Sequence, residues 1–352
     1  MNSKNKKLTE LFPMLKTRLQ IQEEIEANSA LEQIYNSWPK VEQERFLDIC
    51  TGSRGVKMLY DAYFKEILNP EYSPDRLSSL LSLLLKTKVR VIDILSNDST
   101  RLSDETSLVI TDIVVELDNK TIANIEVQRI GYAFLGERAS CYSSDLLLRQ
   151  YRRLRDELKA NFSYKDIAPV YTIVFIENSP AIFNKYPDTY IHYFKTTSDT
   201  GLELNMLQKF IFISVDIFLK KLHNEGINNE LEAWLTFLGC DEPEYIIKLI
   251  TEYPEFKPMY DDLYEMCLNV ERVMEMFSKE LQVLDRNTVK YMIDEMQEKL
   301  DATQDKLDST QLELDSTKAE LDTTKAESDA AIASRDAIIK QLQEKIKILE
   351  SN

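Results

Sequence analysis

Glycine and proline are scarce, seven and ten among 352 residues, which argues against long flexible linkers and glycine-rich phosphate cradles. The one glycine-flanked basic stretch, Gly52-Ser53-Arg54-Gly55-Val56-Lys57, lacks the Gly-Lys-Ser/Thr ending of a P-loop and reads as a turn before a helix. Only two histidines, His192 and His223, and four cysteines, Cys50, Cys141, Cys240 and Cys267, are present. They lie far apart without a CxxC pair, so a zinc site has little support and reduced thiols in the cytosol are expected. Lysines near the N-terminus are not followed by an apolar core, so no signal peptide is read. No run approaches the roughly 18 apolar residues of a membrane span, and the chain is expected to be cytoplasmic, without a membrane partner. Basic charge is also short. The net charge of −17 excludes a broad electrostatic grip on nucleic acid, so any such contact must be local.

Hydrophobic residues make up 43% and charged residues 29%, enough apolar surface for one or two domains with proper cores. Two adjoining apolar stretches, Leu108–Leu117 and Thr121–Arg129, flank the turn formers Asp118-Asn119-Lys120, the signature of a β-hairpin. If those three residues are the loop, Leu117 faces Thr121 and Asp112 faces Glu126. Side chains alternate along a strand, so Asp112, Asn124, Glu126 and Gln128 share one face. Ile113, Val115, Leu117, Ala123, Ile125 and Val127 share the other, which is expected to pack on a core. Two carboxylates placed opposite each other on a sheet repel, and a divalent cation turns that cost into a gain. The competing reading is an ordinary solvated hairpin face.

Residues 1–50 read as a helical, charged segment broken at Trp38-Pro39. A helix from Gly55 to before Asn69-Pro70 and a second from Ser73-Pro74 precede a strand at Val89–Leu95, and the hairpin follows. A long helix is expected from Gly136 to about Ala160. It carries Arg149, Arg152, Arg153, Arg155 and Lys159, which form either a local nucleic-acid contact or a solvated face. Val170–Ile176 is almost wholly apolar, as suits a strand buried on both faces, and Lys209–Ile217 reads as a further strand. This order gives an α/β domain with a small mixed sheet over residues 51–225, then a helical region over 226–285. Residues 286–352 are expected to form a coiled coil. Leu300, Leu307, Leu314 and Leu321 fall at d, Gln297, Gln304, Gln311, Lys318 and Lys325 at a, and Ile332, Ile339 and Ile346 continue the a row. Self-association through this tail is expected; the alternative is a lone charged helix.

The Asp112…Glu126-x-Gln128 pattern resembles the PD-(D/E)XK nuclease superfamily, and within it the recombination-promoting nuclease (Rpn) and transposase branch. The likeness covers roughly residues 50–220. It is carried by Tyr60-Asp61-Ala62-Tyr63-Phe64-Lys65-Glu66, Thr111-Asp112, Ala123–Gln128, Gly136–Tyr142 and Leu148–Tyr151. The resemblance implies a restriction-endonuclease-like core and hydrolysis of DNA phosphodiester bonds. It implies that Asp112 and Glu126 hold Mg²⁺, with Mn²⁺ as the alternative, and that Glu66, or else Asp61, supplies the acid of the first helix. It also implies that Arg138 and Tyr142 reach the phosphate, and the local basic run adds Arg149, Arg152 and Arg153 as candidate DNA contacts. Thr111 stands where the superfamily has proline, a small change. Gln128 stands where it has lysine, and a neutral amide can orient water but cannot supply a charge. The expected function is therefore a metal-dependent DNA endonuclease tied to recombination or transposition, with DNA and a second copy of the chain as partners. The alternative is a catalytically idle nuclease fold that binds DNA or protein, with the coiled coil as its working part.

Overall fold

The computed structural model describes residues 8–95, 113–128 and 135–350. The chain divides into two compact units, Met1–Tyr291 and Met292–Asn352.

Four helices open the first unit: α1 (Leu8–Leu11), α2 (Arg18–Glu26), α3 (Ser29–Ser37) and α4 (Lys40–Cys50). Thr17 and Gln20 form a reciprocal capping box that starts α2, and the Asn28 side chain accepts from the Ala30 amide at 3.1 Å to start α3. Pro39 holds Trp38 extended and separates α3 from α4. Two further helices follow, α5 (Asp61–Ile67) and α6 (Pro74–Leu85). Pro74 occupies the first turn of α6, and Lys86, in the left-handed region at φ 56°, ends it. Leu77, Leu80, Leu81 and Leu84 form the buried stripe of α6.

The strands are β1 (Val91–Ile94), β2 (Ile113–Leu117), β3 (Ile122–Gln128), β4 (Val170–Ile176), β5 (Ile191–Phe194) and β6 (Gln208–Ser214). They form one mixed sheet in the order β1-β2-β3-β4-β6-β5. The pairs β3–β4 and β4–β6 are parallel, and the remaining pairs are antiparallel. β4 lies in the interior of the sheet, and Val170, Ile173, Val174, Phe175 and Ile176 are fully buried, as its almost wholly apolar sequence requires. The hairpin has the expected register, with Ile113 opposite Ile125 and Val115 opposite Ala123. Its turn closes through the Leu117 amide, 2.9 Å from the Thr121 carbonyl, with Lys120 at φ 66°.

Between β3 and β4 runs α7 (Leu135–Leu158). After β6 come α8 (Val215–Glu225), α9 (Glu230–Gly239), α10 (Pro243–Glu252), α11 (Lys257–Met266) and α12 (Val270–Glu350). The strand expected to reach Ile217 ends at Ser214. The apolar run continues as the inner face of α8, where Val215, Ile217, Phe218 and Leu222 are buried, and a continuous apolar run does not distinguish the two periods. β5 was not expected. It is four residues long and carries His192, Tyr193 and Phe194 at partly open positions, so it shows no alternation to read.

One sheet face carries Ile113, Val115, Leu117, Ala123, Ile125, Ile173, Phe175, Ile211 and Ile213 into a single core with the flanking helices. That core runs from Leu8 to Phe277, so the N-terminal helices, the sheet and the helices after residue 226 share it. Phe277 of α12 joins it by packing 5.1 Å from Trp38 and 5.7 Å from Phe46, ring centre to ring centre. The opposite face of the sheet is covered by α7. In the second unit, α12 continues as a helix with Leu300, Leu307, Leu314 and Leu321 exposed. Among the described residues, no helix is long and apolar enough to cross a membrane.

Candidate active site

The α7-covered face of the sheet can be read row by row. Asn124 pairs with Thr172, Glu126 with Val174 and Gln128 with Ile176, and paired residues on neighbouring strands share a face. Val174 and Ile176 pack with Leu135 and Ala139 of α7, while Val114, Ile122 and Val170 pack with Leu146. The helix therefore runs antiparallel to β3, with its N-terminal half over the end that carries Glu126 and Gln128. This face is not the solvated surface of an ordinary hairpin. Asn124, Glu126 and Gln128 are 0%, 4% and 5% exposed.

Burial of these polar groups demands partners. Asn124 Nδ2 donates to Glu126 Oε1 at 2.9 Å, one strand step along the same face. Among the described residues, Asn124 Oδ1 and Gln128 Oε1 are buried acceptors without a hydrogen bond, as are the hydroxyls of Thr172 and Ser143, whose residues lie on this sheet face and on the buried face of α7. The Gln128 carbonyl is satisfied by the Glu177 amide at 2.8 Å, and the Glu177 carboxylate pairs with Lys57 at 2.7 Å beyond the end of β4. Sequence reasoning missed Asn124 as a partner of Glu126, although it had placed the two on one face. It also missed the Lys57–Glu177 pair, whose members lie 120 residues apart and carry no local signal.

On α7, Arg138 Nη2 donates to the Tyr142 hydroxyl at 3.0 Å, one turn along the helix. Both belong to the half of α7 above Glu126 and Gln128. Arg149, Arg152 and Arg153 lie 11 to 15 residues further along, roughly 16–22 Å by helix rise. Arg149 Nε is held by Asp145 at 2.8 Å, and Arg153 reaches Glu116 of β2 at 3.1 Å. The basic run thus sits at the other end of the sheet. Glu66 of α5 is engaged by another partner: its carboxylate binds Arg272 of α12 at 2.7 Å. Asp112, the expected partner of Glu126, lies outside the described residues.

Among the described residues, the candidate metal donors at this end of the sheet are oxygens: the Glu126 carboxylate and the amide oxygen of Gln128. Such a set suits a hard divalent cation and not a thiolate- or imidazole-seeking metal. Among the described residues, no three acidic, histidine or cysteine side chains are placed to hold a metal ion together.

A mixed sheet with a Glu-x-Gln strand facing a long crossover helix defines a nuclease-like α/β domain of the restriction-endonuclease type. Residues 58–295 match the family described as PD-(D/E)XK nuclease family transposase, and the chain belongs to that family. No significant match is found among curated proteins or among solved structures.

Proposed function

We propose that the protein is a metal-dependent endonuclease that hydrolyses DNA phosphodiester bonds in the cytoplasm, in the service of recombination or transposition. The observation that carries this reading is Glu126. A carboxylate with 4% exposure, followed two residues on by a buried amide with an orphaned oxygen, is costly in a fold that gains nothing from it. In the reading, Glu126 and Asp112 hold Mg²⁺ or Mn²⁺. When bound, the ion would polarise the scissile phosphate. Gln128 orients the attacking water through its amide oxygen, and Asn124 fixes one oxygen of Glu126. Arg138, steadied by Tyr142, binds a phosphate oxygen. Glu66 serves only once released from Arg272. Arg149, Arg152 and Arg153 follow the DNA backbone away from the site, and the tail pairs two copies so that both strands can be cut.

Purified full-length protein, supercoiled plasmid and either Mg²⁺ or Mn²⁺ test the reading. Nicking should fall by about 10²-fold or more in both Glu126→Gln and Asp112→Ala. A parallel RNA substrate distinguishes the two nucleic acids. Absence of cleavage with either ion, together with retained DNA binding, would replace the enzyme with a binding module.

A further inference from the structure

The residues that flank the leucine stripe of α12 differ sharply on its two sides. With Leu300, Leu307, Leu314 and Leu321 at d, every e position from residue 301 to 336 is aspartate: Asp301, Asp308, Asp315, Asp322, Asp329 and Asp336. The g positions over the same stretch hold no charge, only Thr303, Thr310, Thr317, Thr324 and Ala331. All four d leucines are between 47% and 65% exposed in the single chain, a stripe that calls for a partner helix.

From this asymmetry we infer that the tail pairs with a second copy of the same chain as a parallel, in-register, two-stranded coiled coil. The inference specifies the self-association of the proposed function and does not depend on nuclease activity. Geometry selects the direction. In an antiparallel pair e faces e′, which would set two aspartate rows against each other along roughly 52 Å of helix. In a parallel pair e faces g′, and each aspartate meets a threonine or alanine.

The a positions give the same answer. Gln297, Gln304 and Gln311 each donate to the aspartate four residues on, at 2.8, 2.9 and 2.9 Å. One N–H of each amide is thereby satisfied within its own helix, leaving the other N–H and the oxygen to pair across the seam. In a parallel in-register pair, a meets a′, so each glutamine finds the same glutamine. In an antiparallel pair a meets d′, which would press each amide onto a leucine with its remaining groups unpaired. Further along, β-branched Ile332, Ile339 and Ile346 occupy a with Leu342 at d, the combination that favours two strands. Lys318 and Lys325 at a stand one turn before Asp322 and Asp329, so in the pair their stems would cover the seam while their heads reach towards those aspartates. A heterologous basic helix would satisfy the aspartate row but not the glutamine layers, which favour an identical partner.

Disulfide trapping in the full-length protein tests this without nucleic acid or metal, so its result is separate from that of the cleavage assay. Cys50, Cys240 and Cys267 are buried and Cys141 is exposed, so Cys141→Ser provides the background. Leu300→Cys and Leu342→Cys, made singly at positions exposed in the lone chain, should each oxidise to a covalent dimer in most molecules. Sedimentation of the unmodified chain should give a dimer. An antiparallel pair can bring at most one residue against its own copy, so dimer formation at only one of the two sites overturns the inference. So does a monomer, a trimer, or trapping at neither site.

Discussion

Asn124 and Glu126 meet on the α7 side of β3, amide nitrogen to carboxylate oxygen at 2.9 Å, with both side chains buried. That bond makes the carboxylate geometrically defined, and it makes its chemistry measurable through Asn124. Replacing Asn124 with aspartate would put two buried acids on one strand face. The expected cost is about 1–3 kcal/mol of folding stability at neutral pH, from the lost bond and the like-charge contact. Millimolar Mg²⁺ should return part of that loss in urea unfolding of Asn124→Asp. No recovery would mean that Glu126 does not face a cation.

The basic run of α7 divides into engaged and unengaged members. Arg153 is paired with Glu116 across to the sheet, whereas Arg152 has no ion pair among the described residues. Arg153→Ala should cost no more than about 1 kcal/mol, the scale of a half-exposed ion pair. Arg152→Ala should leave the urea midpoint in place but weaken binding to a DNA duplex and reduce its salt slope by about one. An unchanged salt slope would remove this run from the DNA-contacting surface.

Glu232 of α9 is a buried acid away from the site with several hydrogen bonds. It accepts from the Tyr190 hydroxyl and Lys221 Nζ at 2.8 Å each, and from the Asn228 amide at 2.9 Å. Burial alone would raise its pKa, but the bonds from Lys221, Asn228 and Tyr190 outweigh burial and hold it below the ordinary carboxylate value. A folded-state pKa below the unfolded one contributes stability that is present above the unfolded value and lost as pH falls through the folded value. Glu232→Gln should therefore be less stable than the parent at neutral pH. The difference should shrink once the pH drops below the carboxylate range, as read from denaturant midpoints across pH. A constant difference at all pH values would show that the loss is one of packing rather than charge.

Phe175 of β4 is fully buried and sits 6.3 Å from the ring of Phe64 on α5. Its truncation to alanine should destabilise the first unit by about 3–5 kcal/mol with an unchanged denaturant slope. The melting of the tail helix, followed by far-ultraviolet circular dichroism, should be unaffected.

The hairpin was legible because three independent signals agree: β-branched residues on both sides, a turn triplet between them and a consistent parity. Its register follows from loop length alone, and Ile113 does stand opposite Ile125. The central strand was legible from an almost wholly apolar run of seven residues, and the helical character of the tail from its repeat of leucines among charged residues. What covers the polar face was not legible. Whether Asn124, Glu126 and Gln128 meet water or a helix depends on where α7 lands, and no local pattern in β3 records that. The Arg272–Glu66 pair was hidden for the same reason: it joins side chains 206 residues apart, and only the folded core brings them together.

Both borders of the sheet are strands of four residues, Val91–Ile94 and Ile191–Phe194. A border so brief offers few free backbone groups for a foreign strand to join. Two copies held side by side by their tails would therefore meet at high local concentration without a ready route to fusing their sheets. In such a pair assembly would be left to the heptads, and the hydrogen-bonding ladder would stay private to each molecule.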